Sequence, residues 1–308
     1  MSTDRCWQLD QLAGNDALKQ NLKTALTANR LPHSILLVGE QGCGAGFAAR
    51  CLAADYLYPH GGPHAAAVLR GEDAECIAVR GEGASGQIKV ERIREAREAI
   101  QHSALSQDAA GRVLFVYGAQ NLNGSSANAM LKIIEEPPEG VLFVFTATSA
   151  ASVMATIRSR CAAYTLAPVP VAECAAALRR QLPRLTADQA EELAFLYEGH
   201  LGTCLDAVQE DKTRTAQRNA AELCALLSKN DLYRATALLS GYEKDREGAQ
   251  ALLWQAAQYG SAALRQPGFA GLTPAVAAFL IQRTGAARRA IAANGNLRLV
   301  LNNLLLGL

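Results

Sequence analysis

The stretch GEQGCGAG, from Gly39 to Gly46, has the glycine spacing of a phosphate-binding loop. In a complete loop, GxxxxGK followed by Ser or Thr, backbone N–H groups hold the phosphates. The Lys reaches the β and γ oxygens, and the hydroxyl binds Mg²⁺. Here Gly39 and Gly44 fit, but Ala45 stands at the Lys position and Gly46 at the hydroxyl position. We therefore predict a degenerate phosphate loop that consists of Gly39, Gly42, Gly44, Ala45 and Gly46.

The elements around this loop are those that a phosphate site requires. The apolar run Ile35 to Val38 precedes it, and the helical pattern GFAARCLAADYL follows it. Two further apolar runs, Val113 to Tyr117 and Val141 to Thr146, lack polar alternation and are typical of strands buried on both faces. We therefore predict a parallel sheet covered by helices, with the loop between a strand and a helix.

Beyond Thr165 the pattern becomes helical to the end of the sequence. The two prolines of APVPVAE indicate a linker, and the charged run QEDKTR, 209–214, indicates a second break. The last segment has an apolar stripe at helical spacing, which consists of Leu297, Val300, Leu301, Leu304, Leu305 and Leu308. Leu299 and Leu306 lie outside this stripe. A terminal helix this apolar is either packed deeply in its own domain or covered by another subunit.

Composition limits the class of protein. Half of the 308 residues are hydrophobic, which allows a large core and about two or three domains. The net charge of +1 argues against binding to nucleic acid or membrane mainly by bulk charge. The start MSTDRCWQLD matches neither a signal nor a transit peptide, and no run is long enough to span a bilayer, so we expect a cytoplasmic protein. Eight cysteines without a CxxC pair indicate reduced thiols.

Several stretches together resemble one family. LPHSILLVGEQGCGAG, NLNGSSANAMLKIIEEPPEGVLFVFTAT and IRSRC occur in the order and approximate spacing of bacterial clamp-loader AAA+ subunits, most of all the delta-prime family of DNA polymerase III. The ending NGNLRLVLNNLLLGL is similar to the collar domain of that family. The resemblance implies an α/β AAA+ P-loop-type domain with a parallel sheet over 1–166, a small helical lid domain over 167–208 and an all-α collar domain over 209–308.

The resemblance also implies that this chain is catalytically silent. Active relatives end the strand after the loop in Asp-Glu, where this sequence has Tyr117 and Gly118, and a sensor-type Arg would fall near Gly202. ATP hydrolysis needs Mg²⁺ held by a hydroxyl and an acid, and cations on the γ-phosphate. We therefore expect no intrinsic ATPase activity and no bound cofactor, with ATP held by neighbouring subunits. The alternative is an active ATPase in which Arg50 replaces the missing Lys.

One residue of the catalytic machinery is present. In Ser159-Arg160-Cys161 the Arg aligns with the clamp-loader arginine finger, which stabilises charge on the γ-phosphate of ATP bound by the adjacent subunit. Guanidinium suits this task because it stays charged and presents a rigid fork to phosphate oxygens. Ser159 and Cys161 are expected to fix the local backbone. The alternative for Arg160 is an ordinary surface salt bridge.

The implied function is that of a silent member of the DNA polymerase III holoenzyme, which is a DNA-directed DNA polymerase. Its implied partners are the gamma/tau motor subunits and delta, through the collar and the Arg160 face. The sliding clamp and primer-template DNA would be reached through the assembled complex, and no membrane is involved. The alternative is an interaction scaffold outside replication, in which case the Ser-Arg-Cys match is accidental.

The sequence departs from the family in one segment. Delta-prime relatives commonly carry a four-cysteine zinc module there, whereas CLAADYLYPHGGPHAAAVLRGEDAEC has no closely paired cysteines, so we expect no metal. An improvised site of Cys51, His60, His64 and Cys76 is the alternative, since ligands need only converge in space. Cys51 lies in a helical apolar run and both histidines in a Gly/Pro-rich turn, which disfavours that site.

Overall fold

The computed structural model describes residues 5–83, 86–101 and 106–306, and these residues form two compact units. The first unit extends to Glu173 and also includes His200–Gly202, while the second comprises Cys174–Gly199 and the chain from Thr203 onward. The finer division into domains 1–166, 167–208 and 209–308 stays a prediction. None of the described helices is both long and apolar enough to cross a membrane.

A five-stranded parallel sheet forms the centre of the first unit, in the order β2-β3-β4-β1-β5. Its strands are β1 (Ser34–Val38), β2 (Cys76–Arg80), β3 (Arg112–Tyr117), β4 (Val141–Ala147) and β5 (Ala162–Thr165). The three strands predicted from apolar runs, β1, β3 and β4, are confirmed. They are the inner strands of the sheet, where both faces are covered and every position favours an apolar side chain.

Helices cover both faces of this sheet. The helices are α1 (Asp16–Thr27), α2 (Ala45–Leu57), α3 (Pro63–Arg70), α4 (Val90–Ile100), α5 (Gly124–Glu135) and α6 (Ala155–Arg158). Alternate strand residues enter two separate cores, with Leu37 among α1, α2 and α3, and Leu36 among α4, α5 and α6. This alternation follows from the period of two along a strand, and it explains why the inner strands are apolar at nearly every residue.

Local interactions fix the start of helix α5, and two prolines fix its end. The side chain of Asn123 accepts a hydrogen bond from the backbone N–H of Ser126 at 2.9 Å, and the Ser126 hydroxyl accepts one from the N–H of Asn123. This capping box satisfies amide groups that the first helical turn leaves open. The helix ends at Glu135 because Pro137 and Pro138 cannot continue it.

The second unit is helical. Helix α7 (Val171–Gln181) begins just before it, and its other helices are α8 (Ala187–Leu196), α9 (Leu201–Gln209), α10 (Asp211–Ser228), α11 (Leu232–Ser240), α12 (Arg246–Arg265), α13 (Pro274–Ala292) and α14 (Leu297–Asn302). The break predicted over 209–214 coincides with the end of α9 and the start of α10. Helices α12 and α13 approach closely at Gly260, where a Cβ would lie 2.9 Å from Cγ1 of Ile281.

The terminal helix is shorter than its apolar stripe predicts. Helix α14 ends at Asn302, and a turn follows it, because Asn side chains compete with the helix for backbone hydrogen bonds. Leu304 and Leu305 are nevertheless buried, whereas Leu299 and Leu306, which lie outside the stripe, are both 60% exposed. The last stripe residue, Leu308, lies outside the described residues.

Candidate functional site

The predicted loop lies between β1 and α2, as a phosphate loop requires. Gly42 and Gly44 both have φ of 89°, in the left-handed region that favours glycine. Gly44 is the N-cap of α2, so Ala45 and Gly46 occupy its first turn. The first amide groups of a helix have no partner within the helix, which is the basis of phosphate binding at such positions. The backbone of the loop is therefore present without its functional side chains.

The ring of Tyr117 lies against the start of α2. A Cβ built on Gly46 would be 3.6 Å from Cε1 of Tyr117. The ring stacks on Phe115 with centroids 5.4 Å apart, and the Arg80 guanidinium lies 4.2 Å from its centroid. Burial raises the pKa of the phenol, so it is uncharged at neutral pH. A neutral aromatic ring thus occupies the strand end where the resemblance places a carboxylate.

Gly118 occupies the second acidic position in a conformation that disfavours a side chain. Its φ is 76°, and a Cβ on it would lie 3.0 Å from Nδ2 of Asn121. Its N–H donates a hydrogen bond to the Thr146 hydroxyl at 3.1 Å, which ties the end of β3 to β4. A Glu at this position would meet both a strained backbone and Asn121.

Backbone from His200–Gly202 covers the loop within the first unit. The N–H of Gly202 donates to the carbonyl oxygen of Gly42 at 2.8 Å, and a Cβ on Gly202 would lie 3.1 Å from that oxygen. The imidazole Nε2 of His200 lies 3.2 Å from Oε2 of Glu40. Position 202, where the resemblance places a sensor-type Arg, therefore has a close backbone contact in place of a cation.

Arg50 is engaged away from the phosphate positions of the loop. Its Nε donates to the carbonyl oxygen of Leu69 at 2.7 Å, and its guanidinium lies 5.7 Å from the Phe47 ring centroid. Its positive charge also acts on the Tyr117 phenol, where it opposes the rise in pKa that burial causes. In the alternative of an active ATPase, Arg50 would replace the Lys that contacts the γ-phosphate. In this structure Arg50 is bound elsewhere.

Arg160 follows the short helix α6 and is partly exposed. Its Nη2 forms an ion pair with Oε1 of Glu135 at 2.6 Å, and its Nη1 donates to the carbonyl oxygen of Thr156 at 3.1 Å. The side chains of Arg160 and Glu135 are 40% and 50% exposed. The guanidinium is therefore held at the surface, with part of its hydrogen-bonding capacity open to solvent.

The neighbours of Arg160 have structural contacts. The Ser159 hydroxyl donates to the carbonyl oxygen of Thr156 at 3.2 Å. The N–H of Cys161 donates to the carbonyl oxygen of Arg158, and burial raises the pKa of its thiol to about 12. The thiol is therefore protonated at neutral pH and unsuited to act as a nucleophile.

The structure brings the loop residues, Tyr117 and Gly118 together, and it places Arg160 elsewhere. The loop and Tyr117 follow the carboxyl ends of β1 and β3, whereas Arg160 precedes the amino end of β5. Register pairs Ile35 with Ala162 and Val38 with Thr165. The loop and Arg160 therefore lie at opposite ends of neighbouring parallel strands, with about 10 Å of strand between them.

The four residues of the alternative metal site do not form one. In the described part of the chain, no group of three or more His, Cys, Asp and Glu side chains could hold a metal ion. Cys51 is fully buried in α2, and burial raises the pKa of both Cys51 and Cys76 to about 12. His64 stacks on Tyr58 and lies near the buried Asp73.

Sequence reasoning missed a basic groove between α4 and α5. The groove has a volume of about 330 Å³, and its lining includes Arg94, Arg97, Lys132, Ser125 and Asn128. None of its three cations has an ion-pair partner within the ranges that the structure describes. Arg94 and Arg97 are three residues apart, so both lie on one face of α4. This spacing was the sequence signal that could have revealed the groove.

The five-stranded parallel sheet with helices on both faces is an AAA+ P-loop-type fold, and a helical region follows it, which confirms the predicted fold class. A gamma-subunit-related protein of DNA polymerase III from Thermotoga maritima has the same fold, with a TM-score of 0.56 and 19% identity over 92% of this chain and 97% of that chain. Residues 14–170 match the family described as "DNA polymerase III, delta subunit", and the chain belongs to that family.

Curated relatives agree with this assignment. The delta′ subunit of Haemophilus influenzae is 32% identical over 48% of this chain and 39% of its own length, and that of Escherichia coli is 29% identical over 49% and 44%. The gamma/tau subunit of Mycobacterium tuberculosis strain H37Rv is 31% identical over 55% of this chain and 30% of its own length. The chain thus matches less than half the length of each of these relatives. The resemblance to delta-prime subunits is confirmed.

Proposed function

We propose that this chain is a catalytically silent subunit of the DNA polymerase III clamp loader that supplies Arg160 to the ATP site of an adjacent motor subunit. It would thereby help to load the sliding clamp on primed DNA in the cytoplasm. The observation that carries the proposal is the contrast between the two ends of the parallel strands. The carboxyl end has a loop without catalytic side chains, and the amino end presents an exposed guanidinium.

The absence of intrinsic ATPase activity is supported by what fills the site. Hydrolysis needs a metal-binding hydroxyl, an acidic strand end and cations on the γ-phosphate. This chain has Gly46, the ring of Tyr117 and the backbone of Gly202 at those positions. Arg50 is already engaged by the carbonyl oxygen of Leu69. Each 1.36 kcal/mol of lost transition-state stabilisation costs about tenfold in rate, so these losses together leave no effective catalysis.

Action on a neighbour is supported by the position of Arg160. About 10 Å of parallel strand separates it from the loop of its own chain. A guanidinium acts on phosphate through direct hydrogen bonds of about 2.7 to 2.9 Å. Arg160 therefore serves a phosphate only if another chain brings that phosphate to it.

The proposed partners are gamma/tau and delta subunits, the sliding clamp and primer-template DNA. The relatives named gamma/tau and delta′ support assembly with other clamp-loader subunits. The groove of Arg94, Arg97 and Lys132 supports contact with a nucleic-acid backbone, because closely placed cations bind phosphates and release counterions. Exposed apolar residues of the second unit, Leu299 and Leu306, support docking of the collar.

The test is clamp- and DNA-stimulated ATPase of a loader reconstituted with wild-type chain or with Arg160→Ala. Arg158→Ala is the matched control, since Arg158 is an exposed cation whose Nη1 donates to the Ala150 carbonyl oxygen. An arginine finger is worth about 10³ to 10⁵ in rate at the site it serves. We expect Arg160→Ala to remove turnover at the adjacent site and Arg158→Ala to leave it. Unchanged turnover with Arg160→Ala in an intact complex would contradict the proposal.

A further inference from the structure

We infer that Glu135 is the positioning residue for Arg160, so that the carboxylate at the end of α5 holds the guanidinium ready for a phosphate of the neighbouring subunit. This inference rests on the proposed function of Arg160. Glu135 does not touch the phosphate itself, and its effect is exerted through the arginine.

The ion pair constrains a side chain that would otherwise be mobile. An Arg side chain loses rotamer entropy when it is fixed. Arg160 is fixed at two of its nitrogens, by Oε1 of Glu135 at 2.6 Å and by the carbonyl oxygen of Thr156 at 3.1 Å. Part of the cost of ordering the side chain is therefore met before ATP arrives.

The two contacts leave hydrogen-bond donors for a phosphate. A guanidinium has five N–H groups. Glu135 and the carbonyl of Thr156 engage one on each terminal nitrogen, and the Ser159 hydroxyl is at the limit of hydrogen bonding, 3.5 Å from Nη1. The remaining donors face no other acceptor in the described part of the chain. Glu135 can thus stay bound while Arg160 contacts an external oxygen.

The anchor of Glu135 is rigid although its carboxylate is exposed. It is the last residue of α5, whose start is fixed by the Asn123–Ser126 capping box and whose end is fixed by Pro137. Positions held by helices are more precise than positions on loops, and a displacement of about 1 Å in such a site costs up to about 10²-fold in rate.

The test uses the reconstituted loader with Glu135→Ala, Glu135→Gln, Arg160→Ala and the double variant Glu135→Ala/Arg160→Ala. Glu136→Ala is the control, because Glu136 is the adjacent exposed carboxylate and makes no ion pair with any described residue. We expect Glu135→Ala to lower kcat about tenfold with little change in KM for ATP. Glu135→Gln should stay near wild type because the amide oxygen still accepts the hydrogen bond. In the Arg160→Ala background, loss of Glu135 should have no further effect.

Each other outcome has a distinct meaning. If Arg160→Ala lowers turnover but Glu135→Ala does not, the positioning role is wrong and the proposed function stands. If Glu135→Ala raises kcat, Glu135 competes with phosphate for the guanidinium, which also overturns the inference. A further drop in the Arg160→Ala background would show that Glu135 acts through another residue. If Arg160→Ala has no effect in an intact complex, the proposed function fails and this inference fails with it.

Discussion

The ring of Tyr117 lies beside Gly46, and both residues depart from the pattern of an active ATPase. A Cβ on Gly46 would lie 3.6 Å from Cε1 of the Tyr117 ring, at ordinary van der Waals distance. The ring therefore has room for a methyl group on α2 but not for a larger branched side chain. The loss of the hydroxyl and the gain of the aromatic ring are two parts of one packing arrangement.

Substitutions of Gly46 should show which side-chain sizes the Tyr117 ring allows at this position. We expect Gly46→Ala to be neutral or to stabilise by up to about 1 kcal/mol, since Ala favours helix more than Gly. Gly46→Thr should destabilise by about 1 to 3 kcal/mol because its branched atoms meet the ring. Urea unfolding of both variants, monitored by circular dichroism, gives the comparison. Equal stability of the two would contradict the proposed packing.

The Gly202 contact should be sensitive to a single methyl group. Gly202→Ala places a Cβ about 3 Å from the Gly42 backbone, so we expect a loss of about 1 to 3 kcal/mol and faster hydrogen exchange at the amide of residue 202. Gly124→Ala is the control, since a Cβ there has no atom within 4 Å. Unchanged hydrogen exchange at residue 202 would show that the added methyl group does not disturb the hydrogen bond between residue 202 and Gly42.

Asp55 should make stability depend on pH. Its carboxylate accepts hydrogen bonds from the N–H groups of Gln8 at 2.6 Å and Leu9 at 3.0 Å, but burial raises its pKa from 3.8 to about 6. Between these values the folded state binds more protons than the unfolded state, so this contribution to stability falls as pH rises through the window. The effect corresponds to about 3 kcal/mol.

The measurement for Asp55 is chemical denaturation of wild type and Asp55→Asn at several values between pH 4 and pH 7. The Asn variant loses one acceptor, which changes stability by a similar amount at every pH. The difference between the two proteins should therefore shift in favour of the Asn variant as pH rises. Parallel curves would show that Asp55 does not titrate in this range.

Loss of the buried ion pair between Glu75 and Arg112 should destabilise the protein far more than loss of an exposed ion pair. Their side chains are 1% and 9% exposed, with Nε of Arg112 at 3.1 Å from Oε2 of Glu75. Removal of one partner leaves a buried charge, so we expect Glu75→Ala to cost about 3 to 5 kcal/mol. The exposed pair of Arg70 and Glu72 is the control, and Arg70→Ala should cost less than about 1 kcal/mol. Similar losses in urea unfolding would contradict this reasoning.

Sequence patterns identified the inner strands but not the edge strands. Strands β1, β3 and β4 are apolar at nearly every residue because helices cover both faces. Strands β2 and β5 lie at the two edges and are only partly buried, and their sequences CIAVR and AAYT contain small side chains and end in a polar residue, so they were not recognised as strands. The end of α14 at Asn302 was missed for a related reason, because apolar spacing continues through a turn that is buried at Leu304 and Leu305.

The candidate residues were identifiable, but their contacts were not. Gly39 to Gly46 and Arg160 could be found because their residue types follow a local spacing. The contact of Gly202 with Gly42 and the ion pair of Arg160 with Glu135 join distant parts of the chain, and neither leaves a periodic signal. The groove of Arg94, Arg97 and Lys132 likewise forms only when α4 packs on α5. The roles of these residues stay predictions until the experiments above are made.

The placement of the loop and Arg160 at opposite ends of the parallel strands has a consequence for any assembly of such modules. Under the proposed function, each ATPase subunit binds nucleotide at one end of its parallel strands and presents its arginine at the other end. A row of such subunits therefore has a direction. A chain that presents an arginine but has no working nucleotide site fits only at one end of that row. The number of working ATP sites would then be set by where this chain sits, and the row would have a defined first position from which hydrolysis could be ordered.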